Sequence, residues 1–192
     1  MKKQVLFSLI LAVALLLVPV GALADVAIPS GSGDTLSSNG AEAFTITTKD
    51  KLDSSATRAT LAGFTEGDAS TATTVACWKD ADGSLKFVYL SNATALTLNA
   101  GKTANLSGNV SIGSLTIDAG AGLIVPVGTD TTKNSLTAET TVTIGDGGTL
   151  TNNGAVTAKT GISATGSKST INNGCGSEMI TPTVAISSGG RS

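Results

Sequence analysis

Histidine is absent from this 192-residue chain, and cysteine occurs only at Cys77 and Cys175. Without histidine there is no Ser-His-Asp or Cys-His nucleophilic machinery, and the commonest zinc ligand is missing. Two cysteines so far apart in sequence make no metal-binding motif, and no metal or cofactor is expected. Aromatic residues are 3% of the chain, with one Trp, one Tyr and four Phe, so the core must be built from small aliphatic side chains. Charged residues are only 14%, with 12 basic against 14 acidic. No cluster of Lys and Arg stands ready to neutralise phosphates, which excludes nucleic acid as a partner. No glycine-rich loop lies between a strand and a helix as phosphate binding requires.

What the chain does have begins with a leader. Lys2 and Lys3 precede an apolar run from Val5 to Val20, and Ala22-Leu23-Ala24 fits a small-x-small cleavage site. Residues 1–24 therefore read as a secretory signal peptide, with a mature start at Asp25. The run is short for a spanning helix, which needs roughly 20 apolar residues, and Pro19 and Gly21 interrupt it. No stable membrane insertion is expected after cleavage. No cysteine follows the run, which argues against a lipid anchor. Losing Lys2 and Lys3 makes the mature chain more acidic than the net charge of −2 of the whole.

Residues 25–40, rich in Ser and Gly, read as a flexible lead-in. Residues 41–90 read as an N-terminal β region. Phe44–Thr48 is one expected strand, Lys49-Asp50-Lys51 a turn, and residues 56–64 a short helix or a strand. Val75–Lys79 and Leu85–Leu90 flank Asp80-Ala81-Asp82-Gly83, the pattern of a β-hairpin. The Asp-x-Asp-Gly turn lacks the further oxygen ligands and closing Glu of a calcium loop.

Residues 91–175 repeat. Leu96-Thr97-Leu98-Asn99-Ala100-Gly101 returns as Leu115-Thr116-Ile117-Asp118-Ala119-Gly120 and again as Val142-Thr143-Ile144-Gly145-Asp146-Gly147. Thr151-Asn152-Asn153-Gly154 returns as Ile171-Asn172-Asn173-Gly174. Apolar residues two apart lie on one face of a strand, with Thr between them facing out. A short strand and a small-residue corner repeated about every 20 residues predicts a stacked β-solenoid. A β-sandwich of the same strands is the rival architecture. The Asn-Asn-Gly alignment sets Ile171 against Thr151, a one-residue slip that would reverse the strand's face, so the last coil is expected to be irregular. Thr129–Asn134 is expected to project as a loop. Residues 176–192, closing in Ser-Ser-Gly-Gly-Arg-Ser, read as a loose tail.

Gly113–Gly120 and Gly147–Val156 resemble passenger repeats of bacterial adhesins and autotransporters, and are similar to repeats of secreted right-handed parallel β-helix surface proteins. The resemblance covers roughly residues 91–175 and implies a secreted or cell-surface role in display or adhesion. The chain departs from those families in being short. It shows no long C-terminal barrel region, no terminal hydrophobic segment and no Leu-Pro-x-Thr-Gly sorting signal. A fragment of a larger surface protein is therefore a further reading.

β-Helix folds also host polysaccharide lyases and hydrolases, so a carbohydrate-active enzyme is the alternative. Such sites need clustered acids, or a basic residue beside acids. Here Asp118, Asp130, Glu139 and Asp146 are scattered, as are Lys102, Lys133, Lys159 and Lys168. No catalytic residue is assigned, and a non-enzymatic protein is expected. Its partners would be glycan, a surface protein or a second copy of itself. Cys77 and Cys175 form the one candidate covalent pair, either bonded to each other, free or bonded between chains. Asn92, Asn105 and Asn109 match the N-glycosylation sequon, which arises by chance in so Asn/Thr/Ser-rich a chain.

Overall fold

The computed structural model describes residues 28–129 and 133–186. The expected leader, Asp130 and the last six residues of the expected tail lie outside the described residues. Those described form an all-β protein in which parallel pairing dominates.

Three sheets take up the strands in rotation. The first holds, in order, Ser30–Ser32, Thr35–Ser37, Ala95–Leu98, Ser114–Ile117, Thr141–Ile144, Gly161–Ala164 and Val184–Ile186. The second includes Glu42–Thr48, Thr103–Ser107, Gly122–Val125, Thr149–Asn152 and Thr170–Asn173. The third holds Asn109–Ile112, Ser135–Ala138, Ala155–Ala158 and Glu178–Ile180. From Ala95 onward the chain visits the first, second and third sheets in turn, and each strand lies parallel to the strand one circuit earlier.

The repeats align as the wording of the sequence predicts. Leu96 pairs with Leu115, Leu115 with Val142 and Val142 with Ile162. Thr97, Thr116, Thr143 and Ser163 follow in the same register on the outer face. The inward residues form one continuous cluster from Leu36 to Ile171. Each fully buried Leu, Ile or Val contributes about 1.5–3 kcal/mol relative to exposure, and the cluster is aliphatic apart from buried Phe44 and Trp78 and the partly buried Phe64 packed against it. At the corners, Gly101 (φ 90°) and Gly120 (φ 72°) stack in the left-handed region that a side chain would strain.

Several expectations are corrected. The lead-in is ordered from Ser30: Thr35–Ser37 pairs parallel with Ala95–Thr97, and Leu36 is fully buried. The N-terminal β region is continuous with the repeats, because Thr45–Thr47 pairs parallel with Asn105–Ser107. The slip at the last Asn-Asn-Gly does not occur. Leu150 pairs with Ile171 and Asn152 with Asn173, so the extra residue is absorbed before Thr170 and the strand keeps its face. The expected tail carries two more strands, Glu178–Ile180 and Val184–Ile186, in register with the circuit before. Of residues 56–64, only Thr57–Arg58 is strand. The predicted hairpin is present as Thr74–Lys79 and Leu85–Leu90.

Antiparallel pairing, which a sandwich would need throughout, occurs among the described residues only toward the N-terminal end. Ser30–Ser32 pairs antiparallel with Thr35–Ser37. The hairpin strand Thr74–Lys79 pairs antiparallel with Glu42–Thr48.

Candidate functional site

The outer face of the first sheet is the most regular surface of the molecule. Ser37, Thr97, Thr116, Thr143 and Ser163 form one row across it, all half-buried. Thr35, Ala95, Ser114, Thr141 and Gly161 form the row beside it. Parallel strands are about 4.8 Å apart and alternate residues about 6.6 Å apart. The face is therefore a lattice of short side chains, all hydroxyls except Ala95 and Gly161, with no charge in either row. The second and third sheets are less uniform. Asn105, Ile124, Thr151 and Asn172 make one outer row, and Ser111, Thr137, Thr157 and Ile180 another.

Hydrogen bonds between circuits hold the corners beside these faces. Asn99 accepts at Oδ1 from Ser37 Oγ and from the Asn39 amide, and donates from Nδ2 to Asp118. Two asparagines are turned inward. Asn134 accepts from the Gly108 amide and donates to the Pro126 and Val127 carbonyls. Asn152, fully buried, accepts from the Gly154 amide and donates to Asn173 Oδ1 and the Glu178 carbonyl. A buried carboxamide is stable only when so satisfied. Asn152 was visible in the sequence as part of the repeated Asn-Asn-Gly. Nothing in the pattern showed that it points inward, because Asn reads as a turn residue.

Asp130 lies outside the described residues, and the other acids expected to be scattered are placed apart, each tied to a structural partner. Asp118 is tied to Asn99. Glu139 pairs with Lys159 across one circuit, Lys133 with Glu178, and Lys102 with Glu42. Asp146 accepts from the Lys168 amide. Among the described residues no group of three or more Cys, Asp or Glu side chains could hold a metal ion. The Asp80–Ser84 turn is closed on itself: the Gly83 amide donates to the Asp80 carbonyl and the Ser84 amide to Asp82 Oδ1. Asp53 and Asp68 each accept from a serine hydroxyl two residues on, which holds their carboxyls below the usual range.

The segment between Thr48 and Ala95 builds a second, smaller core on the outer side of the hairpin. Val75, Cys77 and Phe87 are buried there under Leu52, Ala56, Leu85 and Tyr89. Tyr89 packs edge-on to Phe87, with ring centroids 5.3 Å apart. Arg58 lies 5.2 Å and Lys49 5.4 Å from the Tyr89 centroid, and Arg58 also pairs with Glu66 at 3.1 Å. Sequence reading missed this cluster, since the segment has no periodicity to align. A recess of about 340 Å³ opens beside it, with Cys77, Leu52 and Ser107 in its lining.

Cys77 and Cys175 are both free, Cys77 buried and Cys175 exposed. Cys77 lies in Thr74–Lys79, and Cys175 follows Thr170–Asn173 at the far edge of the same sheet. Five strand steps separate those strands, roughly 24 Å at about 4.8 Å each. A disulfide needs Cα atoms about 4.4–6.8 Å apart, so a bond within the chain is ruled out. Burial pushes the Cys77 thiol up, and the nearby Asp53 carboxylate pushes it the same way.

No protein family, curated protein or solved structure matches the chain. Its class therefore rests on its own architecture, an all-β protein of predominantly parallel sheets. Among the described residues no helix is long and apolar enough to cross a membrane.

Proposed function

We propose that the chain is a secreted or cell-surface β-solenoid that works as a display or adhesion surface and not as an enzyme. Three parallel sheets visited in rotation and one continuous, mainly aliphatic column favour a stacked coil. The observation that carries the functional reading is the uncharged hydroxyl lattice of the first sheet, from Ser37 to Ser163. Its side chains are short and held at fixed spacing by the strands beneath, so little conformational entropy is lost on contact. Such a face suits an extended, hydroxyl-rich partner, and a surface glycan is the ligand class it fits. The separation of Asp118, Glu139 and Asp146, each tied to a structural partner, favours binding over hydrolysis. Secretion rests on the leader.

The test is binding of residues 25–192 to a panel of immobilised polysaccharides, alongside a Thr116→Lys/Thr143→Lys variant. Both positions are half-exposed, so the variant should keep the far-UV signature of the parent. Saturable binding weakened at least tenfold by the double variant is expected. Equal binding by both proteins would remove the first sheet as the site. Release of shortened sugars would replace adhesion with catalysis.

A further inference from the structure

The hydroxyls of the first-sheet face differ in whether the chain itself uses them. The Ser37 hydroxyl is committed to Asn99 Oδ1. Ser30, which lies opposite Ser37, accepts from Asn39 Nδ2. Past them the run changes. The hydroxyls of Thr97, Thr116, Thr143 and Ser163 have no hydrogen-bond partner among the described residues, and neither have those of Ser114 and Thr141 in the row beside. The next residue in register is Ala185, which has no hydroxyl.

The unused hydroxyls thus form one straight run across the strands, Thr97 to Ser163, roughly 14 Å long at a strand spacing of about 4.8 Å. No register shift interrupts it. All six side chains are half-buried and stand on strands, so their positions are fixed before any ligand arrives. A polar group held in this way exchanges its water for a ligand hydroxyl at little entropic cost.

From this run we infer that the glycan is a straight, neutral, β-1,4-linked chain lying along the stack, one sugar to each circuit from Thr97 to Ser163. The inference rests on the adhesion reading above and names its ligand. A β-1,4 linkage leaves both bonds to the ring equatorial, so the chain is a flat ribbon that advances by close to one strand spacing per sugar. Its hydroxyls come into step with those of the protein circuit after circuit, whereas an α-1,4 chain coils away from a straight row. Neither row holds a cation, so nothing there answers a uronic acid or a sulfate. Neither row holds an aromatic ring, so a single sugar finds no stacking platform. Affinity must then accumulate from like contacts made one circuit at a time. It stops accumulating where the run is bounded, by the committed Ser37 on one side and by Ala185 on the other.

The experiment is calorimetric titration of residues 25–192 with cello-oligosaccharides and chito-oligosaccharides of two to six sugars, beside malto-oligosaccharides of the same lengths. In at least one β-1,4 series, affinity is expected to rise at least tenfold from two sugars to four and to change less than twofold from four to six. The malto-oligosaccharides are expected to bind more weakly at every length. Thr116→Val/Thr143→Val removes two hydroxyls and keeps the branched shape, and should weaken the four-sugar ligand at least tenfold. Thr137→Val/Thr157→Val, half-buried neighbours on the third sheet, should change it less than twofold. Far-UV dichroism reports whether each variant keeps its fold, and Ser114→Ala serves if the first double variant does not. Affinity independent of length, equal binding of malto-oligosaccharides, or equal loss in the third-sheet variant would each overturn the inference. Binding of another polysaccharide that Thr116→Lys/Thr143→Lys weakens, with no binding of either β-1,4 series, would overturn it and leave the adhesion reading standing. Failure of every polysaccharide to bind would remove both.

Discussion

Replacing Asn152 by Asp changes almost nothing in shape and reverses one polarity inside the stack. In the native chain Nδ2 donates to the Glu178 carbonyl at 2.9 Å, and Oδ1 accepts from the Gly154 amide at 3.2 Å. An ionised Asp keeps the second bond but turns an acceptor toward an acceptor at the first. Its charge also sits where Asn152 has no exposed surface. A protonated Asp restores the donor, so the folded state favours the neutral acid and raises its pKa above the unfolded value of about 3.9. At low pH both states are protonated, and the variant should match the parent to within about 1 kcal/mol. As pH rises above about 4 the unfolded chain ionises first, and stability falls by about 1.4 kcal/mol per pH unit. The fall levels off once the folded acid also ionises. Protonation is always available as an escape, so the loss at pH 7 cannot exceed about 4 kcal/mol, and loss of the hydrogen bond sets a floor of about 1 kcal/mol. Urea melts of parent and variant from pH 3.5 to 8 measure the difference, since the parent carries every other carboxylate as a control. Far-UV dichroism follows all strands, while Trp78 reports the far end of the same sheet, so a lead of the first over the second would reveal local loss of the last circuits. A difference that does not change with pH would show that Asn152 is not held as described.

Gly113→Ala would place its Cβ 2.6 Å from the Ala93 carbonyl oxygen, and displacing backbone at a corner should destabilise by about 1–3 kcal/mol in chemical melts. Lys159→Ala should change stability by less than about 1 kcal/mol in the same melts, because Lys159 is largely exposed in its pair with Glu139. The raised thiol of Cys77 makes its contribution complete below the pKa of the unfolded thiol. Above about 8.5 the unfolded thiol ionises first, so stability should decline with pH in the parent and decline less in Cys77→Ala. Thiol labelling of the folded chain near neutral pH should modify Cys175 promptly and reach Cys77 only on unfolding, as mass spectrometry of peptides would show.

The parts of the fold legible in the sequence are those whose chemistry repeats. Leu96, Leu115 and Val142 fall in one column because alternation fixes the face of a short strand and the shared Thr fixes its register. The hairpin was legible from Asp82-Gly83 between β-forming runs. Strand Thr35–Ser37 was not, because three residues with one Leu carry no periodicity and the Ser and Gly around them dominate the reading. What makes it a strand is its neighbour Ala95–Leu98, sixty residues along the chain. Val184–Ile186 was lost for the same reason. The slip at Ile171 was misread because identical words, Asn-Asn-Gly, were aligned where the apolar columns were the stronger constraint. Burying Leu150 above Ile171 outweighs matching Asn153 to Asn173, and the corner lengthens to allow it.

The corner after the second sheet explains how this stack absorbs variation without losing register. Five connections depart from it: Thr48 leads into the hairpin segment, Ser107 through Gly108 into Asn109, Val125 into the loop before Ser135, Asn152 through Asn153 and Gly154 into Ala155, and Asn173 into Glu178. The long hairpin segment and the single-residue passage through Gly108 thus leave from equivalent places. Both inward asparagines belong to this corner. Asn134 stands in register with Gly108 and Gly154, next to the paired residues Asn109, Ser135 and Ala155. Its carboxamide reaches back to the Pro126 and Val127 carbonyls, where the loop departs. A loop of any length can therefore leave and return while the column inside remains satisfied, because the returning strand is fixed by Asn134 on the circuit before it and not by the loop. The same logic places the hairpin. It leaves at Thr48 and returns at Ala95, so the chain omits a third-sheet strand there, and the Thr74 hydroxyl covers the edge that strand would have occupied. The insertion that ends the stack on one side is thus an elaboration of the corner that elsewhere carries a loop. The first sheet keeps Ser37, Thr97, Thr116, Thr143 and Ser163 in one unbroken hydroxyl row.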